Sequence, residues 1–217
     1  FGGGTPSLLH ISLLETLMNS ARKHYNINDQ AEITLEANPD DIDLEKAEAW
    51  KALGINRFSI GIQSFADENL KWMNRAHNAK QSITAIDIIK QTGFQNYSID
   101  LIYGTPGQSM EGWVKDLRTA FELGVPHLSC YALTVEEKTA LNSLIQRGEL
   151  LGVNQDEQAD RFETLMQLSA NAGYHHYEIS NFALPGYESK HNSAYWEGVV
   201  YLGFGPSAHS FDGNKRK

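Results

Sequence analysis

The sequence holds one cysteine, Cys130, in 217 residues. No internal disulfide can form, which favours a reducing compartment, if weakly, and a cytoplasmic location is expected. Positive charge is also scarce: 18 Lys and Arg stand against 27 Asp and Glu, giving a formal net charge of −9. Nucleic-acid affinity draws largely on neutralised phosphates, so no nucleic-acid partner is expected, although local basic pockets are compatible with this balance. No apolar run approaches the roughly 18 residues that span a bilayer, and no signal-peptide pattern is visible. An integral membrane protein is therefore not expected.

What is present suits a folded core. Apolar residues make up 41% and charged residues 21% of the chain, in the range of ordinary globular domains. The length allows one domain or two small ones. The chain opens on Phe1, directly before a glycine run. That start reads as the middle of a folding unit, so the sequence is expected to be part of a longer protein.

Short β-rich runs alternate with amphipathic helical stretches. Helices are expected over Ser7 to Tyr25, where Leu9, Leu13, Leu17 and Ala21 recur every fourth residue, and over Leu44 to Leu53, between an Asp43 cap and a Gly54 stop. Further helices are expected over Ala79 to Thr92, Met110 to Leu123 and Asp156 to Ala172. Strands are expected over Ala31 to Ala37, Arg57 to Gln63, Asn96 to Tyr103 and His127 to Leu133. Repeated βα units imply a parallel sheet covered by helices, wound as a barrel or a doubly wound sheet. After Gly173 the periodicity fades and aromatics, histidines and glycines become dense. That tail reads as a final strand with a long functional loop, or as the start of a second module.

Three successive strands carry a polar residue late in an apolar run: Glu36, Gln63 and Asp100. Parallel strands bind ligands at their C-terminal ends, and a buried carboxylate is costly without a partner. The placement suggests a shared polar ligand. The alternative is that Glu36 and Asp100 satisfy backbone or arginine partners within the sheet, with Arg75 as a countercharge in either case. Gly2-Gly3-Gly4-Thr5-Pro6 permits close backbone approach, with Thr5 as a helix cap and Pro6 at the first helical position. It suits a ligand carboxylate or a bland tight turn equally well. Gly104-Thr105-Pro106-Gly107 and Gly203-Phe204-Gly205-Pro206 read as loop shapers. Trp50, Trp72 and Trp113 fall on helices and read as packing residues. In the tail, His191-Asn192-Ser193-Ala194-Tyr195-Trp196 gathers an imidazole, an amide, a phenol and an indole. Such a set suits heme, with Asn192 orienting the imidazole, or an ordinary capped turn. His175, His176 and His209 are other potential ligands.

These segments together resemble the oxygen-independent coproporphyrinogen III oxidase-like branch of the radical S-adenosylmethionine (SAM) superfamily, and its heme-chaperone members most of all. The motifs are FGGGTPS, LEANPDD, RFSIGIQSF followed by MNRAH, SIDLIYGTPGQ, and HYEISNFALPG with KHNSAYW. They span essentially the whole chain. The resemblance implies a partial TIM-like (β/α)6 barrel whose first unit lies upstream of residue 1. Residues 1–173 would form the truncated barrel. Residues 174–217 would form its last strand and an HNxxYW segment leading to a further domain. It implies SAM contacts at Gly3, Gly4, Thr5, Glu36, Gln63, Arg75 and Asp100, with a looser match near Ala132. It also implies heme contacts at His191, Asn192, Tyr195 and Trp196, the segment that sets the chaperone branch apart from true decarboxylases. The cofactors so implied are SAM, heme and, in the whole protein, a [4Fe–4S] cluster held by an upstream CxxxCxxC motif that Cys130 cannot replace. Heme-acceptor proteins are implied as partners, and a homodimer is allowed. The expected function is heme binding and transfer, without coproporphyrinogen oxidase activity. The competing reading is a radical SAM enzyme that oxidises the propionate side chains of coproporphyrinogen III.

Overall fold

A computed structural model describes residues 1–217. Its centre is one six-stranded sheet in the order β1-β2-β3-β4-β6-β5. Strands β1 (Thr34–Ala37), β2 (Arg57–Gln63), β3 (Tyr97–Tyr103) and β4 (His127–Ala132) run parallel. Helices α2 (Leu44–Leu53), α4 (Ala79–Gln91), α5 (Met110–Glu122) and α7 (Gln155–Asn171) fall between successive strands or follow the last of them. The chain then reverses. β5 (His175–Glu178) and β6 (Asn181–Ala183) form a tight antiparallel hairpin, and β6 pairs antiparallel with β4. The final strand of the sheet is therefore not a parallel one. The mixed α/β architecture is the expected class, with the parallel run closed off by a hairpin that sequence periodicity did not reveal.

The parallel strands alternate strictly. Phe58, Ile60, Ile62, Tyr97, Ile99, Leu101, Leu128 and Cys130 join the hydrophobic core under the helices. Arg57, Ser59, Ser98, Asp100, His127 and Ser129 occupy the opposite, inner face, since successive side chains point to opposite sides of a strand. A parallel sheet buried on both sides usually reads as a continuous apolar run. Here only the outer side is apolar, so the inner side is chemically free to face a ligand. Trp50 tilts against Phe58, whose ring meets Phe94 edge-on at 4.8 Å. Trp50 and Trp113 are fully buried, as packing residues should be, whereas Trp72 is half-buried on the short helix α3 (Asp67–Trp72).

The local signals mostly act as expected. The Asp43 carboxylate accepts the Lys46 N–H at 2.7 Å and starts α2, and Gly54 ends it with a left-handed φ of 96°. The first helix departs from its expected range. Pro6–Leu8 forms a 3-10 turn without a Thr5 side-chain cap, and extended Leu9 and His10 interrupt the chain. The helix proper, α1 (Ile11–His24), starts where the His10 ring accepts the Ser12 N–H. Leu14 and Met18 face the core, whereas Leu9, Leu13 and Leu17 are exposed. The four-residue repeat thus marks the outward stripe of α1. Two short helices, α6 (Ala140–Gln146) and α8 (Lys190–Trp196), complete the chain.

Candidate functional site

The C-terminal ends of β1, β2 and β3 meet the glycine-rich start. Gly4, Thr5, Glu36, Asn38, Gln63 and Asp100 line one open cleft there, with Ser59 and Gly61 at its floor. The cleft holds about 100 Å³. The Phe1 carbonyl accepts the Glu36 N–H at 3.0 Å and the Phe1 amine donates to the Thr34 carbonyl, which lays the glycine run alongside β1. Gly3 then donates its N–H to the Glu36 carboxylate at 3.3 Å, in a left-handed conformation with φ 87°. A Cβ at Gly2 would sit 2.4 Å from Glu36 Oε1, so a larger residue there would push the carboxylate aside. Strand β2 slips register between Ile60 and Gln63, and Gln63 adopts a left-handed φ of 67°. Gln63 lines the cleft at that irregularity, and bulges recur near functional sites.

Asp100 sits deeper on the inner face and accepts the Ser59 hydroxyl at 3.3 Å. Burial pushes its carboxyl up to about 6, with repulsion from Glu36 adding to the effect, while hydrogen bonds from Ser59 and Ser129 and the Arg57 charge oppose it. Two carboxylates and two carboxamides lining one cleft suit a cationic ligand that also carries hydroxyl donors.

Several buried contacts hold this rim, and sequence reading passed over them. His77 Nε2 lies 3.0 Å from the Ile62 carbonyl, and its Nδ1 lies 3.7 Å from Asp40. Asp116 accepts the Ser64 hydroxyl at 2.7 Å and the Phe65 N–H at 2.8 Å. A signal for Asp116 existed: it interrupts the Trp113, Leu117, Ala120 stripe of α5 that faces the core. Arg75, in contrast, is exposed and does not line the cleft. The buried cation of the inner face is Arg57, which is 4% exposed.

At the other end of the same face, Arg57 Nε lies 3.8 Å from the equally buried Glu32 carboxylate. Glu32 also accepts the N–H groups of Lys190 and His191 at 3.3 and 3.4 Å, and Lys190 Nζ reaches the Gln30 carbonyl at 3.1 Å. The HNxxYW segment is helix α8, docked on the N-terminal ends of the parallel strands. Ser189 caps it through the Asn192 N–H, and Trp196 Nε1 donates to Glu178 at 3.1 Å. His191 meets the Tyr195 ring edge-on at 4.8 Å, and both are exposed. Partial desolvation of the ring lowers the His191 pKa, which favours the neutral imidazole. The Asn192 side chain lies beside the Tyr177 hydroxyl. His175, His176 and His209 stand apart from this cluster: His175 lies 3.7 Å from Glu188, and His176 stacks on Phe182 at 4.2 Å.

His127 is buried on the inner face, with Nε2 2.7 Å from the Tyr177 hydroxyl and Nδ1 without a partner. Burial and then the Arg57 charge push its pKa down to about 3. The imidazole is therefore neutral in the fold and regains its ordinary value near 6.5 on unfolding. Its contribution to stability is complete above about pH 6.5 and is lost as pH falls toward 3. Between pH 7 and 5 the loss is about 2 kcal/mol. Asp100, raised to about 6, acts with the opposite sign between that value and its ordinary 3.8. Only the difference between wild type and His127→Gln isolates the imidazole. Urea midpoints of the two proteins should converge as pH falls from 7 to 5, and parallel pH profiles would refute the assignment.

With this geometry established, comparison with known proteins becomes informative. The Radical SAM superfamily profile matches residues 1–120. The chain belongs to the radical SAM superfamily. Within it, the chain is 40% identical over 216 residues to the heme chaperone HemW of Bacillus subtilis, covering 99% of this chain and 57% of that protein. It is 41% identical over 208 residues to the heme chaperone HemW of Escherichia coli, covering 96% and 54%. Among solved structures, coproporphyrinogen III oxidase (HemN) from Escherichia coli, a radical SAM enzyme, superposes with a TM-score of 0.83 at 28% identity, covering 99% of this chain and 52% of that one. The chain spans about half the length of the curated relatives it matches. No helix is long and apolar enough to cross a membrane.

Radical SAM membership implies SAM and a [4Fe–4S] cluster. The cleft's donor set fits the first: carboxylates face a position where a sulfonium, an ammonium and ribose hydroxyls would each find a partner. The second does not fit these residues. Cys130 is buried, its thiol is pushed up by that burial, and no three His, Cys, Asp or Glu side chains gather into a metal-ligand group.

Proposed function

We propose that this radical SAM protein is a heme chaperone that binds heme and passes it to acceptor proteins in the cytoplasm, alone or as a homodimer. The observation that carries this reading is about 40% identity, over nearly the whole chain, to proteins named as heme chaperones in several bacteria. In this reading residues 1–173 are the SAM-binding barrel portion, and residues 174–217 contribute its last strand and the heme segment. SAM occupies the cleft of Gly3, Gly4, Thr5, Glu36, Gln63 and Asp100. Arg75 belongs to the set by resemblance and would reach the ligand from the rim.

Heme is assigned to the outward side of α8. Tyr195 and Trp196 are 50% and 67% exposed beside a neutral imidazole, and flat apolar rings next to a metal-ligating nitrogen suit a porphyrin face. Neutral imidazole is the form that ligates metal. Heme titration followed by absorbance tests this. His191→Ala should weaken binding at least about tenfold, the equivalent of one lost interaction of about 1.4 kcal/mol, and change the spectrum of the bound state. Tyr195→Ala should weaken binding while leaving the spectrum intact. An unaltered spectrum in His191→Ala would remove His191 as the iron ligand.

The likeness to coproporphyrinogen III oxidase supports a second reading, as a decarboxylase. Anaerobic incubation of the cluster-reconstituted protein with SAM and coproporphyrinogen III separates the two. The chaperone reading expects no turnover.

A further inference from the structure

The turn Gly104–Gly107 follows β3 and does more than shape a loop. It walls a cavity of about 250 Å³ whose other sides are Leu151, Asn154, Glu157 and Arg161, from the start of α7 and the residues before it. The cavity lies at the C-terminal end of the parallel strands but shares no lining residue with the Glu36–Asp100 cleft.

Two of its lining side chains are almost wholly buried yet incompletely paired. Thr105 is 3% exposed and its hydroxyl has no partner; Arg161 is 4% exposed and its Nε–H has none. Beside them Gln108, 5% exposed, accepts the Gly104 N–H at 2.8 Å and leaves its own Nε2 without an acceptor. Buried polar groups are nearly always paired, and each unpaired donor costs the fold. Two such donors on side chains that line one cavity, with a third on the neighbouring Gln108, therefore mark a place suited to an acceptor from outside.

The guanidinium is also pre-set. Arg161 Nη1 donates to the Glu157 carbonyl at 2.8 Å and to its carboxylate at 3.1 Å, and Nη2 donates to the Gln108 carbonyl. Trp113 Nε1 fixes the backbone of the same residue by donating to the Arg161 carbonyl at 3.1 Å. Pinned in this way, Arg161 leaves Nε–H as its one unpaired nitrogen, and guanidinium groups pair best with carboxylates. Glu157 already places one carboxylate on the guanidinium, but its side chain is 58% exposed and such surface pairs exchange readily.

We infer that this cavity binds a ligand carboxylate, held by the Arg161 Nε–H and the Thr105 hydroxyl. The carboxylate could belong to a tetrapyrrole propionate or to a small free acid. The inference depends on neither the SAM nor the heme assignment above.

Amide and arginine side-chain resonances of the 15N-labelled protein would be followed during titration with coproporphyrin III, with its tetramethyl ester and with succinate. Coproporphyrin III should move the Arg161 Nε–H and Gly104 signals, and the ester should not. Movement with succinate at comparable concentration supports the site and assigns it to small acids. Thr105→Val removes a hydroxyl with no partner in the fold, so stability should hold while affinity falls about tenfold. Glu157→Gln, which removes the competing carboxylate, should tighten binding. Stationary signals with both acids, or equal movement with the ester, would overturn the inference and leave a cavity filled by water alone.

Discussion

Replacing Trp113 by alanine should cost about 3–5 kcal/mol of folding stability, the range for deleting a fully buried aromatic. Trp113 is 0% exposed, tilts against Tyr103 at a ring-centroid distance of 5.3 Å, and ties α5 to α7 through its bond to the Arg161 carbonyl. Its loss opens a cavity between the sheet and two helices and removes the indole's bond to the Arg161 carbonyl. Trp113→Phe should recover most of the packing but not the hydrogen bond, a shortfall of about 1 kcal/mol. Chemical denaturation would measure both. A loss below about 1 kcal/mol for the alanine variant would mean that α5 and α7 collapse freely onto each other, contrary to close packing here.

Glu32→Ala should cost about 3 kcal/mol, because removing one partner of a buried ion pair leaves the other charge uncompensated. The exposed fractions of the Glu32 and Arg57 side chains are 7% and 4%, so solvent cannot take over. For a chain of this length the midpoint of thermal unfolding should fall by about 6–12 °C. A second effect sets this variant apart from a simple core defect. Glu32 accepts two N–H groups from the first turn of α8, so that segment should loosen and exchange its amides faster. Pairing Glu32→Leu with Arg57→Met removes both charges and should restore much of the stability without restoring the hold on α8. Recovery of both together would show that the ion pair, rather than the N–H contacts, fixes the helix.

The sequence made the parallel half of the fold legible because its elements are long enough to show a period. Strands β2 and β3 alternate over seven residues each, and α2 carries both an Asp43 cap and a Gly54 stop. Glu36, Gln63 and Asp100 were visible as polar residues at strand ends and do line one cleft. Short elements escaped. The β5–β6 hairpin and α8 have too few residues to express a period, and their polar density resembles a loop. The stripe on α1 misled because leucines at four-residue spacing mark a helix face without saying which side the core lies on. Arg57 escaped for another reason: its partner Glu32 is remote in sequence, and a first-position arginine in a strand looks like an ordinary exposed end. Arg75, the countercharge that the sequence suggested because it follows shortly after Gln63, is exposed.

The alternation of the parallel strands has a consequence for how this protein can change. Folding energy is concentrated on the helix-covered side, where Phe58, Ile60, Tyr97 and Ile99 are locked into the core. Ser59, Ser98, Asp100 and Gln63 sit one residue away in sequence and face inward. Substitutions at alternate positions of a single strand therefore fall into two separate ledgers, one read by thermal melting and the other by ligand binding. A lineage can retune what the inner face recognises, residue by residue, while the chain keeps folding. The coupling returns at the other end of that face, where Arg57, Glu32 and His127 also bear on folding stability.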